Sequence, residues 1–403
     1  MSFAEFRGRA FWVVLGCFVC QMGLGFGYGM TALAPALVED LGWSRATFSS
    51  AQAPQVFFIA GASPLVWWVL LRLGARGLFA LSAVLLGSAY VIVAGMDAWW
   101  EFAFAWALVG LAVTGLGDIT VGAVMAQWFR ERRGLALGMA YTGSNVGGYL
   151  ATTLMVALAA GGSWRDGVGA MAGVAFCVLL PVALFAVRER GSVARVEDVD
   201  AVGEETDLSL GEAVRTRSFW ILAFGLGVYW CDLYILLHHF GLAAVDAGFA
   251  AEQAAFYWKN AVLMGLLSKV AFGFVADRLP AKAAILLDYA LLSVAIGSLL
   301  WISAWGAWGG WAFVVVFGFA YTARDVATPL AIAYAFGGRH LAQIYGVMML
   351  TILLAGPGPV VAGAIRDATG SYAPGFGLLA ALNVVSFLAL WALRDERRRS
   401  ARS

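Results

Sequence analysis

Apolar runs long enough to cross a bilayer recur from one end of this chain to the other. No other feature limits its fold so tightly. In hydrocarbon every backbone N–H and C=O must be satisfied internally, and a run of about 20 apolar residues does this as a helix. The runs lie near 11–35, 46–71, 76–96, 99–128, 134–160 and 166–187, then near 218–241, 252–276, 281–303, 306–336, 341–364 and 373–393. Composition agrees: 62% of the 403 residues are hydrophobic and 13% are charged, roughly half the charge fraction of a soluble chain. The expected fold is an all-α membrane protein of twelve transmembrane helices.

One long polar segment, 188–217, divides the runs six and six. It carries Glu197, Asp198, Asp200, Glu204, Glu205 and Asp207 and has the composition of a linker. The expected domains are an N-terminal six-helix bundle over 1–187, a cytoplasmic linker over 188–217 and a C-terminal six-helix bundle over 218–403 that ends in a basic tail. With both termini placed inside, about 20 of the 26 Lys and Arg fall in inner segments. Only Arg45, Arg165 and Arg366 fall in outer loops, an asymmetry that sets both termini in the cytoplasm. Arg7 and Arg9 precede the first run as in a signal sequence, but the run is long for one and many follow it, so a retained helix is expected.

Several function classes drop out at this point. A net charge of +1 and the lack of a basic aromatic stripe give no footprint for nucleic acid. Three histidines, two of them adjacent, do not build the usual zinc site, and no nucleophile elbow or phosphate loop occurs. Neither a metal nor a cofactor is expected, and a membrane-embedded enzyme is a remote alternative. Cys17, Cys20, Cys177 and Cys231 all sit in apolar segments and are expected to pack as small hydrophobes.

The informative residues are the charges inside the runs. Lys269 lies eight residues before Asp277, about 12 Å deeper along a helix, which places it near the middle of a hydrocarbon core about 30 Å thick. Asp118 lies at similar depth on span four, as does Arg324-Asp325 on span ten. Asp232, His238 and His239 lie on span seven, Asp288 on span nine, and Lys259 near the outer boundary of span eight. Intramembrane charge is costly and marks a site or an internal ion pair. For Lys269 the possible partners are Asp118, Asp232 and Asp325. Neighbours on a helix diverge by about 100°, so Arg324 and Asp325 are expected to point to different places unless the helix is distorted. Trp230 and Tyr321 lie at the level of these charges, and Tyr28, Tyr141 and Asn145 are candidate lining residues on spans one and five. Most other Trp, among them Trp99, Trp100, Trp301, Trp305 and Trp308, cluster at outer span ends as an aromatic belt.

The two halves also echo each other. Span five opens at Arg133-Gly134 and continues through Gly138, Gly143, Gly147 and Gly148; span eleven opens at Tyr345-Gly346 and continues through Gly356, Pro357, Gly358, Pro359 and Gly363. Such glycines let helices approach closely, and Pro-Gly-Pro is expected to break a helix. Internal repeats around a midplane site are the construction of many secondary carriers.

Two sets of motifs carry a family resemblance. Gly273-Phe-Val-Ala-Asp277-Arg278 between spans eight and nine resembles the Gly-x-x-x-Asp-Arg of the major facilitator superfamily, with a degraded counterpart at Arg72-Leu-Gly74-Ala-Arg76. Gln127-Trp-Phe-Arg-Glu-Arg-Arg-Gly-Leu-Ala-Leu-Gly138, Gly42-Trp-Ser-Arg45 and Arg366-Asp-Ala-Thr-Gly-Ser-Tyr372 resemble the monocarboxylate transporter and oxalate:formate antiporter branch. The resemblance implies two pseudo-symmetric six-helix bundles acting by alternating access, as a monomer, in the cytoplasmic membrane. It also implies that Lys269, four residues before Gly273, binds the substrate carboxylate where the branch commonly has Arg. Gly273, Asp277 and Arg278 become the gating motif. Animal members carry an Asp four residues before the cation, where this chain has Gly265. Dicarboxylate exchangers carry a second cation on span eleven, whereas Thr351 through Gly363 is uncharged.

The expected activity is therefore secondary transport of a small organic anion, a monocarboxylate first of all, coupled to protons. Lys269, Arg324, Asp118, Tyr321, Asn145, Tyr28 and His239 are the candidate substrate residues. Asp325 and Asp232 are the candidate proton-coupling residues, since a buried carboxyl beside a cation can take a proton when substrate occupies that cation. The spans carry three cations and four acids, which keeps open a zwitterion or a larger aromatic or amphipathic acid, anion exchange, and a sensor that binds without transport.

Overall fold

The structure is a computed structural model that describes residues 4–43, 45–189 and 207–397. The linker acids at 197–205, Ser44 and the tail residues Arg398, Arg399 and Arg402 lie outside the described residues. The chain divides into two compact units, Met1–Val202 and Gly203–Ser403. Among the described residues every regular element is a helix.

In the first unit the helices are α1 (Arg9–Met22), α2 (Phe26–Asp40), α3 (Arg45–Ala62), α4 (Val66–Gly95), α5 (Trp99–Leu116), α6 (Asp118–Trp128), α7 (Arg133–Gly161), α8 (Trp164–Val174) and α9 (Leu180–Phe185). In the second they are α10 (Leu210–Ala213), α11 (Arg217–Asp246), α12 (Ala251–Ala276), α13 (Ala281–Ser298), α14 (Ile302–Trp305), α15 (Ala307–Phe336), α16 (Leu341–Met348), α17 (Gly358–Thr369) and α18 (Ala373–Leu390). Ten stretches among the described residues are long and apolar enough to cross a membrane. One of them, Ser50–Gly95, is 46 residues long and turns at Gly74, where φ is 67° and ψ 174°. Helix α7 spans 29 residues but is too rich in Gly, Ser and Thr to be counted among the ten. The twelve-helix reading is consistent with this arrangement.

The outward surface is apolar. Trp308, Phe185 and Val360 are 82%, 77% and 74% exposed, an arrangement that water would penalise and lipid accepts. Trp99, Trp100, Trp301 and Trp305 are likewise exposed. The chain is an integral, multi-pass membrane protein.

Glycine sets the packing of the first unit. A Cβ on Gly143 would fall 2.0 Å from the Phe18 carbonyl, one on Gly147 2.2 Å from that of Met22, and one on Gly25 2.1 Å from the Gly148 nitrogen. Backbones of α1, α2 and α7 therefore touch where no side chain fits. Span four is interrupted at Gly117, whose extended backbone separates α5 from α6. The sequence reading treats this span as continuous. In the second unit, α16 passes into a 3-10 segment, Met349–Leu354, before α17 begins at Gly358. Pro357 and Pro359 lack the N–H that a continuous helix needs there, and the expected break is found. Cys17 and Cys20 are free and fully buried.

Acidic side chains close helix connections in each unit onto backbone N–H groups. Glu5 accepts from Arg130, Glu131 and Arg132 at 3.3, 3.3 and 3.0 Å. Glu189 accepts from Ala75, just past the turn at Gly74. In the second unit Asp207 accepts from the Arg339 N–H at 3.1 Å, beside Gly337 at φ 94°. Other connections use arginine instead. Arg165 reaches Asp97 at 2.9 Å and the Met96 carbonyl at 2.6 Å, while Arg366 pairs with Asp246 at 3.0 Å.

Candidate functional site

The charges of the second unit meet where α12 and α15 pack backbone to backbone. A Cβ on Gly318 would lie 2.6 Å from the Ala261 carbonyl, and one on Gly265 2.6 Å from Thr322 Cγ2. Thr322 Oγ1 donates to the Gly265 carbonyl at 3.2 Å, and Ser268 Oγ donates to that of Phe319 at 2.5 Å. These contacts fix the register of the two helices and set Lys269 opposite Asp325, with Nζ 3.0 Å from Oδ2. Asp325 is one of the three possible partners of Lys269, and the two form an ion pair. Its side chain is 5% exposed, so the charge is met by protein rather than water.

Asp325 also holds Arg324. Nη2 of Arg324 lies 2.5 Å from Oδ1, so one carboxylate bridges two buried cations. This corrects the expectation that the two adjacent side chains point apart. The 100° separation holds at Cβ, but the arginine stem is long enough to fold its guanidinium back onto its neighbour. Pro329, four residues on, also removes the helical N–H that would bond the Asp325 carbonyl. The Arg324 guanidinium is bound on its other sides by three aromatic residues. Nη1 donates to the Tyr345 hydroxyl at 3.1 Å, and the central carbon lies 4.2 and 5.0 Å from the Tyr229 and Trp230 ring centroids. Such stacking suits the planar, weakly hydrated guanidinium. Arg324 thus ties α15 to α11 and α16.

The other acids of this unit are placed differently. Both oxygens of Asp232 accept from Asn383 Nδ2, at 3.0 and 2.9 Å, which links α11 to α18. Asp288 on α13 is fully buried, and neither oxygen has a hydrogen-bond partner among the described residues. Its charged neighbours are Arg324 and Asp325. The adjacent Tyr289 is buried, with its hydroxyl against Gly225.

Tyr321 stacks on Phe317 at 5.2 Å, and its hydroxyl lies against Gly265, one turn from Lys269. His239 is engaged at both ring nitrogens. Nε2 donates to the Pro359 carbonyl at 2.8 Å, so Nδ1 of the neutral ring accepts from the Tyr372 hydroxyl at 3.0 Å. It joins α11 to α17 and to the residue before α18. Asp277 follows the last turn of α12, its N–H donating to Gly273 at 3.1 Å, and Arg278 lies over Phe274.

The candidates of the first unit sit on α2, α6 and α7. Asp118 opens α6, and its carbonyl accepts from the Tyr141 hydroxyl at 3.0 Å. Tyr28 is half exposed and packs against Gly148, while Asn145 is half-buried beside Ser144 at 3.4 Å. Among the described residues no group of three His, Cys, Asp or Glu could hold a metal ion.

Tyr229, Tyr345 and Asn383 are the participants that the sequence reading did not single out. Asn383 is the lone amide in an otherwise apolar span, the kind of polar residue that bonds across membrane helices. Tyr229 and Tyr345 had no such signal, because a tyrosine at either position packs equally well as an ordinary apolar residue.

Comparison with known proteins supplies the context. Over 91% of this chain and 90% of the relative, it is 24% identical to the hexuronate transporter of Escherichia coli K12. It is 23% identical to human monocarboxylate transporter 11 over 92% and 80% of the two chains. The oxalate:formate antiporter of Oxalobacter formigenes is 26% identical over 53% of this chain and half of its own length. Among solved structures the proton:xylose symporter XylE superposes with a TM-score of 0.71 at 13% identity, covering 95% of both chains, a likeness of fold alone. Residues 13–358 match the sequence profile of the Major Facilitator Superfamily, and with the fold described above this shows that the chain belongs to that superfamily of transporters.

Proposed function

We propose that this protein is a secondary active carrier of a small organic anion, a monocarboxylate in the first place, coupled to protons and acting as a monomer in the cytoplasmic membrane with both termini inside. The observation that carries the reading is the ion pair between Lys269 and Asp325, buried at mid-span and shared with Arg324. A buried ammonium is expensive without a partner, and here the partner is a carboxylate. A substrate carboxylate offers the same chemistry and takes the place of Asp325 at Nζ when it binds. The relatives support the substrate class, since their names refer to hexuronate, to oxalate and formate, and to monocarboxylates. Alternating access comes from rocking one six-span half against the other.

The exchange of Asp for Gly265 fits this reading. Thr322 and Tyr321 fill the space that a side chain at 265 would need. The acid facing Lys269 stands instead on α15, as Asp325, and serves as the counter-ion that substrate displaces. A second reading, a larger aromatic or amphipathic acid, is favoured by the Tyr229, Trp230 and Tyr345 rings around Arg324. Asp118, Asn145 and Tyr28 remain candidates for the first unit's share of the site. His239 is reassigned to joining helices, since both its nitrogens are used within the protein.

The test is a counterflow screen in proteoliposomes across mono-, di- and aromatic carboxylates and amino acids. Lys269→Ala is expected to abolish carboxylate counterflow and Lys269→Arg to keep part of it. Undiminished counterflow in the Ala variant, at normal reconstitution, rejects the site. Binding without flux in the unmodified protein rejects the carrier reading in favour of a sensor.

A further inference from the structure

We infer that Asp288, rather than Asp325 or Asp232, holds the coupling proton, and that its protonation sets the net charge of the Lys269–Asp325–Arg324 cluster. The inference rests on the carrier reading above and deepens it.

Three buried acids within the spans of this unit differ in what meets their oxygens. Asp325 bonds two cations, and both oxygens of Asp232 face the Asn383 amide. Asp288 is 0% exposed and has no donor at either oxygen among the described residues. An ionised carboxylate so placed would lose its hydration for nothing in return, whereas the neutral acid loses far less. Yet Asp288 is not remote from the site, because Arg324 and Asp325 on α15 are its charged neighbours. From α11, Asp232 and Tyr229 act on the adjacent Tyr289, and α18 contributes the neutral Asn383. From α12, Lys269 acts through Asp325.

Charge bookkeeping links proton and substrate. Lys269 and Arg324 contribute two positive charges and Asp325 one negative. With Asp288 neutral the cluster carries one net positive charge, which a single carboxylate balances. When the proton departs to water, the O–H bond of Asp288 breaks and its electron pair stays on the carboxylate. The cluster is then neutral without substrate. The ionised Asp288 carboxylate and one substrate carboxylate are therefore interchangeable ways of balancing the same cations, so the proton and the monocarboxylate are held together and neither is stably held alone. The stoichiometry that follows is one to one, with no net charge moved.

The test compares counterflow with gradient-driven uptake in proteoliposomes, using labelled lactate, pyruvate, benzoate and glucuronate as probes. Counterflow needs no proton release; accumulation against a gradient does. Asp288→Asn fixes the neutral form in the same volume. It is expected to keep counterflow within about threefold, and to lose proton-driven accumulation and the acceleration by external acid by about tenfold or more. An Asn variant that still accumulates substrate with the wild-type pH profile overturns the inference and leaves the carrier reading standing. Absence of counterflow for every probe in the unmodified protein overturns both. Should the Asn variant lose both activities, Asp288→Glu decides. Recovery of gradient-driven uptake with a displaced pH profile supports the assignment, and its failure to recover at normal reconstitution rejects it.

Discussion

The two units share close glycine contacts and differ in how much buried charge joins their helices. In the first, α1 and α2 lie on α7 through bare backbone, with Gly25, Gly143, Gly147 and Gly148 leaving no room for a Cβ. Its one acid at mid-span, Asp118, stands at a helix break. In the second, α12 and α15 also meet at bare backbone, at Gly318, but the corresponding span eleven is broken by prolines and charge joins helices as well. Arg324 spans α11, α15 and α16, Lys269 joins α12 to α15, and Asp232 joins α11 to α18. Glycine contact is rigid and insensitive to charge. An ion-pair network keeps its strength only while its charges balance, so a ligand or proton that alters the balance alters the packing. On the carrier reading proposed above, the packing of the second unit responds to substrate charge.

Removing one partner from the charged network is the severest way to break this contrast. Lys269→Ala leaves Asp325 and Arg324 to share a smaller set of charges, and loss of one partner of a buried pair costs about 3–5 kcal/mol. Asp325→Ala leaves two cations facing each other and is expected to be worse. The double variant Lys269→Ala/Asp325→Ala is expected to regain part of the thermal stability, measured in detergent, without regaining transport. If the double variant is as unstable as the sum of the singles, the pair contributes nothing as a pair.

Overpacking tests the glycine side of the comparison. Gly147→Leu pushes a side chain into the Met22 carbonyl, and overpacking of this kind costs about 3 kcal/mol or more when backbone must shift. The control is Gly241→Ala on α11, where a Cβ meets nothing within 4 Å. Alanine there is expected to stabilise by up to about 1 kcal/mol, the helix preference over glycine. Equal melting temperatures for Gly147→Leu and the unmodified protein would show that the first unit does not depend on backbone contact.

A smaller effect separates joining from binding. His239→Phe removes the bonds to Pro359 and Tyr372, each worth about 1 kcal/mol. The melting temperature is expected to fall while the apparent substrate affinity in counterflow stays within about twofold. A large affinity loss at unchanged stability would return His239 to the substrate site.

The spans, their division into two groups and the mid-depth charges were legible because hydrocarbon makes each of them a strong local signal. Lys269, Arg324 and Asp325 stand out of apolar runs, and Pro357 and Pro359 announce their break. What was not legible depends on rotation and reach. Nothing around Gly117 distinguishes a glycine that interrupts a helix from one that merely packs. Which acid meets Lys269 depends on the register set by Gly265 and Gly318, and the fold-back of Arg324 onto Asp325 depends on side-chain length rather than on helical angle. Asp288 could not be assigned at all without the burial of its oxygens.

The helix connections of the units allow the mildest test, and it turns on pH. Glu189 closes the turn at Gly74, and burial pushes its carboxyl above the usual range, partly offset by the Ala75 N–H and by Arg76. The folded state therefore holds this proton more tightly than the unfolded chain, whose glutamate has a pKa of about 4.3. The associated stability is fully present below that value and fades as pH rises through the folded pKa. In the second unit Asp207 has Arg397 3.7 Å away and accepts from the Arg339 N–H. Glu189→Gln should leave melting almost unchanged in mild acid and raise it slightly relative to the unmodified protein near neutrality. Asp207→Asn should lower it near neutrality. If Glu189→Gln shifts melting equally at both pH values, the carboxyl is not desolvated at this turn, and the two connections are the same device.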